Sequence, residues 1–489
     1  MTIESEIKLS LSARSARELA EHATLSDVQP RRQRLQSTYY DTPDRRLRHE
    51  RILVRFRRSG RQWMLGVKTV RPLTVGLAER GEWEVVAEPG HFDFSHVDDT
   101  RLRGILEQIV DELQPAFSIR SRRDSWLLEP DQKVRVEVSL DRGWIEAQGQ
   151  RQRLREVEIE LLAGTVSDLF EVASALQASL PLHPEVSSKS DWAYRLLDGT
   201  PLLPVKAQAV SLDGEMPAMS AFRGIALSCL QQLQSNEQGV CETEQPEFVH
   251  QARVAIRRLR SAIRLWEPIL PEPFVARYEP LWQGLATRLG DTRNWDVFLS
   301  ETLPAIAGAF TDRGVIDQLS RRARRHCARS RRASRKALSS PEYSRLLIDF
   351  AGELMALPEN SAGTLAAFVP RCLSRRARRV TERAVEGILA DAAARHRLRV
   401  AFKQLRYALE FFSPILSGPL LVDYHGSATM LQELLGRLND LAVARQLTAA
   451  ALRRRKAEAI DVWLVAQTET LLPEFAGLLA EFRGRAEPW

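Results

Sequence analysis

Residues 3–9, IESEIKL, set Glu4, Glu6 and Lys8 on one side of an extended chain and Ile3, Ile7 and Leu9 on the other, because strand side chains alternate with a period of two. The pattern recurs. Arg55 and Arg57 alternate with Val54 and Phe56, and Arg80, Glu82 and Glu84 with Trp83 and Val85. Arg135 and Glu137 alternate with Val134, Val136 and Val138, and Glu156, Glu158 and Glu160 with Val157, Ile159 and Leu161. On this ground the segments 5–11, 35–41, 51–58, 61–69, 79–87, 133–140 and 154–162 read as strands, punctuated by Gly, Pro and Asp. Helices are expected near 13–23, 101–113 and 165–180.

The ordinary reading of such charged faces is the wet side of an antiparallel sheet. The distribution argues for more. Acids concentrate on the first and last long strands and arginines on the middle ones, so a closed sheet would set the two groups facing each other across a lumen. Carboxylates on one wall suit a hard divalent cation such as Mg²⁺ or Mn²⁺. Arginine and lysine on the other walls suit phosphate oxygens. Together they describe a site for a metal and a polyphosphate.

The rest of the chain differs. Residues 1–250 carry 32 Lys+Arg against 38 Asp+Glu, residues 251–410 carry 30 against 16, and residues 411–489 carry 8 against 9, so the net of +7 conceals a central block of +14. A block this basic points to a polyanionic partner. From about 219 to 486 the sequence reads almost entirely as helix, and 199–218, with no clear period, reads as connection. With 489 residues, the expected organisation is an α+β unit at 1–200, a linker at 201–218 and an all-α unit at 219–489. Four scattered cysteines exclude a CxxC pair and argue against a disulfide framework. The alternating acidic start does not read as a signal peptide, and no run of about 18 apolar residues is present. A cytoplasmic protein without a membrane partner is the expectation.

The strand motifs carry a family resemblance. E-x-E-x-K at 4–8 is followed by YYDTPD at 39–44, VRFR at 54–57, WMLGVK at 63–68 and R-x-E-x-E at 80–84. Arg123 then precedes a Trp, and EVSLDRG at 137–143, EVEIEL at 156–161 and SSKSDWAY at 187–194 complete the order. This resembles the CYTH superfamily, the triphosphate tunnel metalloenzymes. The resemblance implies an eight-stranded antiparallel barrel open at both ends. It implies metal ligation by Glu4, Glu6, Glu158 and Glu160, with Glu137 and Glu156 as further candidates, and phosphate binding by Lys8, Arg55, Arg57, Lys68, Arg80, Arg123 and Lys189. Its chemistry would be metal-assisted attack of water on a terminal phosphorus of inorganic triphosphate. Tyr39 and Tyr40 read as packing.

The helical half contains a duplication. VHQARVAIRRLRSAI at 249–263 and RHRLRVAFKQLRYAL at 395–409 place His250, Arg253, Arg257 and Arg260, and His396, Arg399, Lys403 and Arg406, at identical spacing and an offset of 146. The same offset joins LGDTRNWDV at 289–297 to LGRLNDLAV at 435–443. Two halves about a pseudo-twofold axis are expected. The stripes read as free of acids at i±4, and further basic stripes lie at Arg321, Arg325, Arg329 and Arg332 and at Arg371, Arg375 and Arg379. These residues resemble the CHAD domain, a helical module associated with polyphosphate binding, which implies long-chain polyphosphate as partner and polyphosphate granules as a location. Asn294 stands where the resemblance leads one to expect an acid. A non-catalytic polyphosphate-binding protein is the alternative reading. Nucleic acid is disfavoured, because the helical stripes lack the interleaved aromatics that stack bases.

Overall fold

The computed structural model describes residues 2–70, 74–130, 132–359, 363–385, 387–416 and 418–489. The chain divides into two units, one of residues 1–203 with 340–356, the other of 204–339 with 357–489. The helix Pro341–Ala356, which the sequence reading counts with the helical half, belongs to the first unit.

Eight long strands build the first unit: β1 (Thr2–Ser10), β2 (Arg31–Asp41), β3 (Ile52–Ser59), β4 (Gln62–Thr69), β5 (Leu77–Val86), β6 (Gln114–Leu128), β7 (Arg135–Ala147) and β8 (Gln150–Ala163). Their order is β5-β4-β3-β2-β6-β7-β8-β1, and β1 also pairs with β5, so the sheet closes into an antiparallel barrel. The lumen is charged, so the apolar core lies outside the wall. Ile7, Leu9, Val136, Val138, Val157 and Ile159 are buried, and helix Val166–Gln177 packs over β1 and β8. On the other flank Leu102 and Leu106 of helix Thr100–Gln108 join Val54, Phe56, Leu65, Val67 and Trp83.

β6 is the strand that the alternation did not reveal. Phe117 and Ile119 are buried towards the lumen, yet further along the same face come Ser121 and Arg123, while the opposite face carries Arg120 and Arg122. With both faces polar, the hydrophobic alternation that signals a strand is absent.

One end of the barrel departs from the tunnel open at both ends that the resemblance implies. Ala193, Tyr194 and Leu197 of helix Lys189–Asp198 cluster with Tyr39, Leu53, Phe117, Ile119, Ile145 and Leu154. These are the apolar residues of the inner face at that end, and burying them offsets the cost of closing it. The helix is anchored by Asp41, which is fully buried and accepts hydrogen bonds from the backbone N–H groups of Thr42 at 2.8 Å and Leu47 at 2.9 Å and from the Tyr194 hydroxyl at 2.6 Å.

In the second unit helices Pro246–Trp266 and Ala392–Phe412 have bounds that coincide at the offset of 146. The first packs between Ala218–Glu242 and Glu272–Val297, the second between Leu365–Arg383 and Pro419–Ala451, and the two also touch each other. Arg313–Leu338 and Arg454–Arg483 pack beyond Glu272–Val297 and Pro419–Ala451 respectively. Among the described residues no helix is long and apolar enough to cross a membrane.

Candidate functional site

Strand register lays acids and bases side by side around the barrel. Glu4 lies opposite Arg80, Lys8 opposite Glu158, Lys68 opposite Glu82 and Arg123 opposite Asp141. A cavity of about 220 Å³ results, lined by Glu4, Lys8, Arg55, Arg57, Lys68 and Arg80, by Arg123, Glu158, Glu160 and Lys189, and by Glu82, Glu84 and Asp141.

Every one of the seven lumen cations is ion-paired. Lys8 reaches Glu6 at 3.0 Å and Glu156 at 3.7 Å and also contacts Glu158. Arg80 holds Glu4 at 3.0 Å and Glu6, and Lys68 spans Glu4 at 2.9 Å and Glu82 at 2.6 Å. Arg55 bridges Glu82 at 3.1 Å and Glu84 at 2.7 Å, with Arg57 at 3.9 Å from Glu84. Gly66 makes room for this bridge, since a Cβ there would lie 3.2 Å from the Glu84 carboxylate and 3.3 Å from Arg55 Nε. Arg123 grips Asp141 through Nε at 2.9 Å and Nη2 at 2.6 Å and also contacts Glu158. Lys189 contacts Asp141, Glu156 at 3.0 Å and Glu158 at 2.9 Å.

These pairs shift the titrations. Burial works against the Lys8 and Lys189 charges, but the carboxylates around each hold both ammonium groups above their ordinary range. Burial also opposes the Glu84 carboxylate, yet Arg55 and Arg57 bring it down to about 2. Glu160 goes the other way. Burial, then Glu4, Glu6 and Glu158, push its carboxyl up to about 7, and among the described residues it makes no ion pair.

The acids therefore form two groups. Asp141, Glu156 and Glu158 bring oxygens within 4.8 Å of one another, but Lys8, Arg123 and Lys189 already balance them. Glu160 lies where Glu4, Glu6 and Glu158 act on it, and hard oxygen donors of this kind suit a hard divalent cation. Glu137 takes a different place, turned to Arg31 at 3.3 Å and Ser139 at 3.1 Å, and does not line the cavity.

In the helical unit the two His/Arg stripes converge. Burial and then Arg257 and Arg399 lower Arg253 to about 10, and burial with Arg257 lowers Arg399 to about 10. Lys403 is driven down by burial and by Arg257, Arg399 and Arg253. Among the described residues none of these four cations has an ion-pair partner within 4 Å. Asp440 acts favourably on Arg399, whereas its duplicate position holds the neutral Asn294. The last member of each stripe is paired, and Arg406 corrects the expectation of stripes free of acids at i±4. Arg260 pairs with Glu279 at 2.8 Å and Arg406 with Glu410, four residues on, at 3.1 Å. His250 is half-buried, and His396 is exposed beside Asn439 at 3.3 Å. Arg321, Arg325, Arg329, Arg375 and Arg379 stand exposed on their own helices.

Comparison with known proteins agrees with both geometries. The CYTH domain model matches residues 2–194 and the CHAD domain model residues 224–449. The chain is a CYTH domain followed by a CHAD domain. A curated relative, an inorganic triphosphatase of Haemophilus influenzae, is 31% identical over 200 residues, which are 40% of this chain and 55% of that protein. The chain thus spans about half the length of that relative. The crystal structure of the CHAD domain from the plant Ricinus communis is 31% identical with a TM-score of 0.50, covering 57% of this chain and 97% of that one.

Sequence reasoning passed over Glu82, Glu84 and Asp141 as CYTH site residues. The signal was present. Glu82 and Glu84 share a face with Arg80, and Asp141 lies on the face of Ser139 and Glu137, two and four positions away.

Proposed function

We propose that the CYTH domain hydrolyses inorganic triphosphate with the help of a divalent cation, Mg²⁺ or Mn²⁺, and that the CHAD domain holds long-chain polyphosphate. The observation that carries the first part is the complete interlocking of seven cations with carboxylates in one enclosed lumen. A phosphate group engages these cations only by releasing their carboxylates, and a buried carboxylate left without a partner costs several kcal/mol, roughly 3–5 by analogy with broken buried pairs. A metal–triphosphate complex meets both demands at once.

In this reading Glu4, Glu6, Glu158 and Glu160 hold the cation. A bound divalent ion supplies polarisation of phosphoryl oxygens and a more acidic attacking water. The chain's own contribution is charge and position. Lys8, Arg55, Arg57, Lys68, Arg80, Arg123 and Lys189 bind the phosphoryl oxygens and offset charge in the transition state. Asp141 orients Arg123 and Lys189, and helix Lys189–Asp198 excludes water from its end. In the CHAD domain Arg253, Arg257, Arg399 and Lys403 supply unpaired positive charge for a linear polyanion, bound largely by counterion release.

The deciding experiment is phosphate release from tripolyphosphate, ATP and long-chain polyphosphate, side by side, with Mg²⁺ and with EDTA. Release mainly from tripolyphosphate, stopped by EDTA, is the expected result. No release from any substrate, with polyphosphate still bound, would replace this reading with a non-catalytic polyphosphate-binding protein.

A further inference from the structure

Helices cover the barrel wall over β1 and β8 and over β3 to β5, while the outer side of β2, β6 and β7 carries arginines. Arg34 on β2 lies directly opposite Arg122 on β6, Arg122 opposite Arg142 on β7, and Arg142 opposite Arg155 on β8. Four guanidinium-bearing positions thus run in one row across four strands, about 4.8 Å apart from strand to strand. Like charges placed directly opposite destabilise a sheet, and this wall does so three times in succession. One buried acid, Asp124, serves the row, contacting Arg142 and lying 3.5 Å from Arg122. Among the described residues Arg34 and Arg155 have no ion-pair partner.

The next row on the same face runs Arg58, Gln36, Arg120, Trp144, Arg153 in register. Trp144 is 41% exposed, with the Arg153 guanidinium 5.3 Å from its ring centre. At the edge of the row Arg58 lies 5.8 Å from the Trp63 ring. Both rows, apart from Arg153 and Arg155 on β8, line one groove of about 980 Å³.

We infer that this outer wall, separate from the lumen and from the CHAD cations, is a binding surface for single-stranded nucleic acid. The arginine row supplies the phosphate grip. An inorganic phosphate chain has nothing to lay on an indole, whereas every nucleobase has a face that stacks there, and only an unpaired strand exposes it. The absence of interleaved aromatics that disfavours nucleic acid on the helical stripes does not hold on this wall.

The test uses the full chain and a fluorescent oligouridylate of about 12 nucleotides, within the 4–16 that comparable barrel faces engage. Arg34→Ser with Arg122→Ser should weaken its binding at least tenfold and reduce the slope of log affinity against log salt by about 1.4, from two lost phosphate contacts. Trp144→Ala should weaken oligouridylate binding at least fivefold, with Trp144→Phe retaining most of it. Neither change should alter tripolyphosphate hydrolysis or lower the melting temperature, since the first removes like-charge repulsion and the second an exposed side chain. Unchanged oligouridylate affinity in the double arginine variant overturns the proposal. So does a wall that loses long-chain polyphosphate in that variant while Trp144→Ala leaves oligouridylate binding intact, which would make it a second inorganic polyphosphate surface.

Discussion

The hydroxyl of Tyr194 donates to the buried carboxylate of Asp41 at 2.6 Å, and so joins the end of β2 to the helix that closes the barrel and carries Lys189. The YYDTPD stretch gains its meaning from this bond. Tyr194→Phe should cost about 1.5–3 kcal/mol of stability, the worth of a hydrogen bond to a charged group, read by denaturant melting. Because the loss loosens the helix beneath Lys189, tripolyphosphate turnover should fall as well. A variant as stable and as active as the parent would show that the bond anchors nothing.

Glu4→Ala or Glu6→Ala should abolish hydrolysis while leaving the fold and polyphosphate binding intact. Each removes an acid that Arg80 now holds, so phosphate-binding charge persists and only cation ligation suffers. Retained turnover would contradict the ligand assignment.

Metal and triphosphate should bind with strong positive coupling. Calorimetric affinity for tripolyphosphate should rise at least tenfold when Mg²⁺ is present beyond what the ion pair in solution accounts for, because each ligand releases the partners of the other. Equal affinity with and without the cation would mean that the lumen carboxylates need no replacement for their lysines and arginines.

Glu160 titrates near 7 in the folded chain, against an ordinary value of 4.5. The native state therefore holds this proton more tightly than the unfolded state does. Stability from that proton is present below about pH 4.5 and is lost as the pH rises towards 7. A divalent cation competes with the same proton, so Mg²⁺ affinity should climb to about pH 7 and then level. Glu160→Gln should weaken binding and flatten the climb, measured by calorimetry from pH 5.5 to 8.5.

Lys403→Met should raise the melting temperature while weakening polyphosphate binding. Lys403 is half-buried beside Arg253, Arg257 and Arg399, and a desolvated cation without a partner costs free energy that an apolar chain of similar shape does not. Replacing Arg253, Arg257, Arg399 and Arg406 together with Ala should weaken polyphosphate binding and flatten its salt dependence. A destabilised Lys403→Met protein would mean that the cluster is internally compensated.

Most of the barrel was legible because its wall separates charge from hydrocarbon residue by residue, as β1 and β8 do. β6 was not, since Arg120 and Arg122 face outwards while Ser121 and Arg123 face the lumen, leaving no apolar side along its middle. The lumen cations could be named from the motifs, but which carboxylates oppose them depends on register. Glu137 and Asp141 lie on one face of one strand, yet only Asp141 reaches the cavity. The helical repeat was visible to the residue, whereas the acids that neutralise Arg260 and Arg406 differ between the two copies and obey no shared spacing.

The helix Pro341–Ala356 has a bearing on how the protein is made. It lies against helix Val166–Gln177, with Ser174 donating to Asp349 at 3.0 Å, His183 and Ser344 2.8 Å apart, and Arg345 donating to the Gln177 carbonyl at 3.2 Å. The first unit's last covering element is therefore synthesised only after 136 residues of the second, from 204 to 339, have left the ribosome. A nascent chain halted near residue 203 would display the flank of Phe170 and Ser174 bare, a surface for chaperones to shield. The two units are translated in an overlapping order, and neither can be cut from the gene as an uninterrupted segment without taking something from the other.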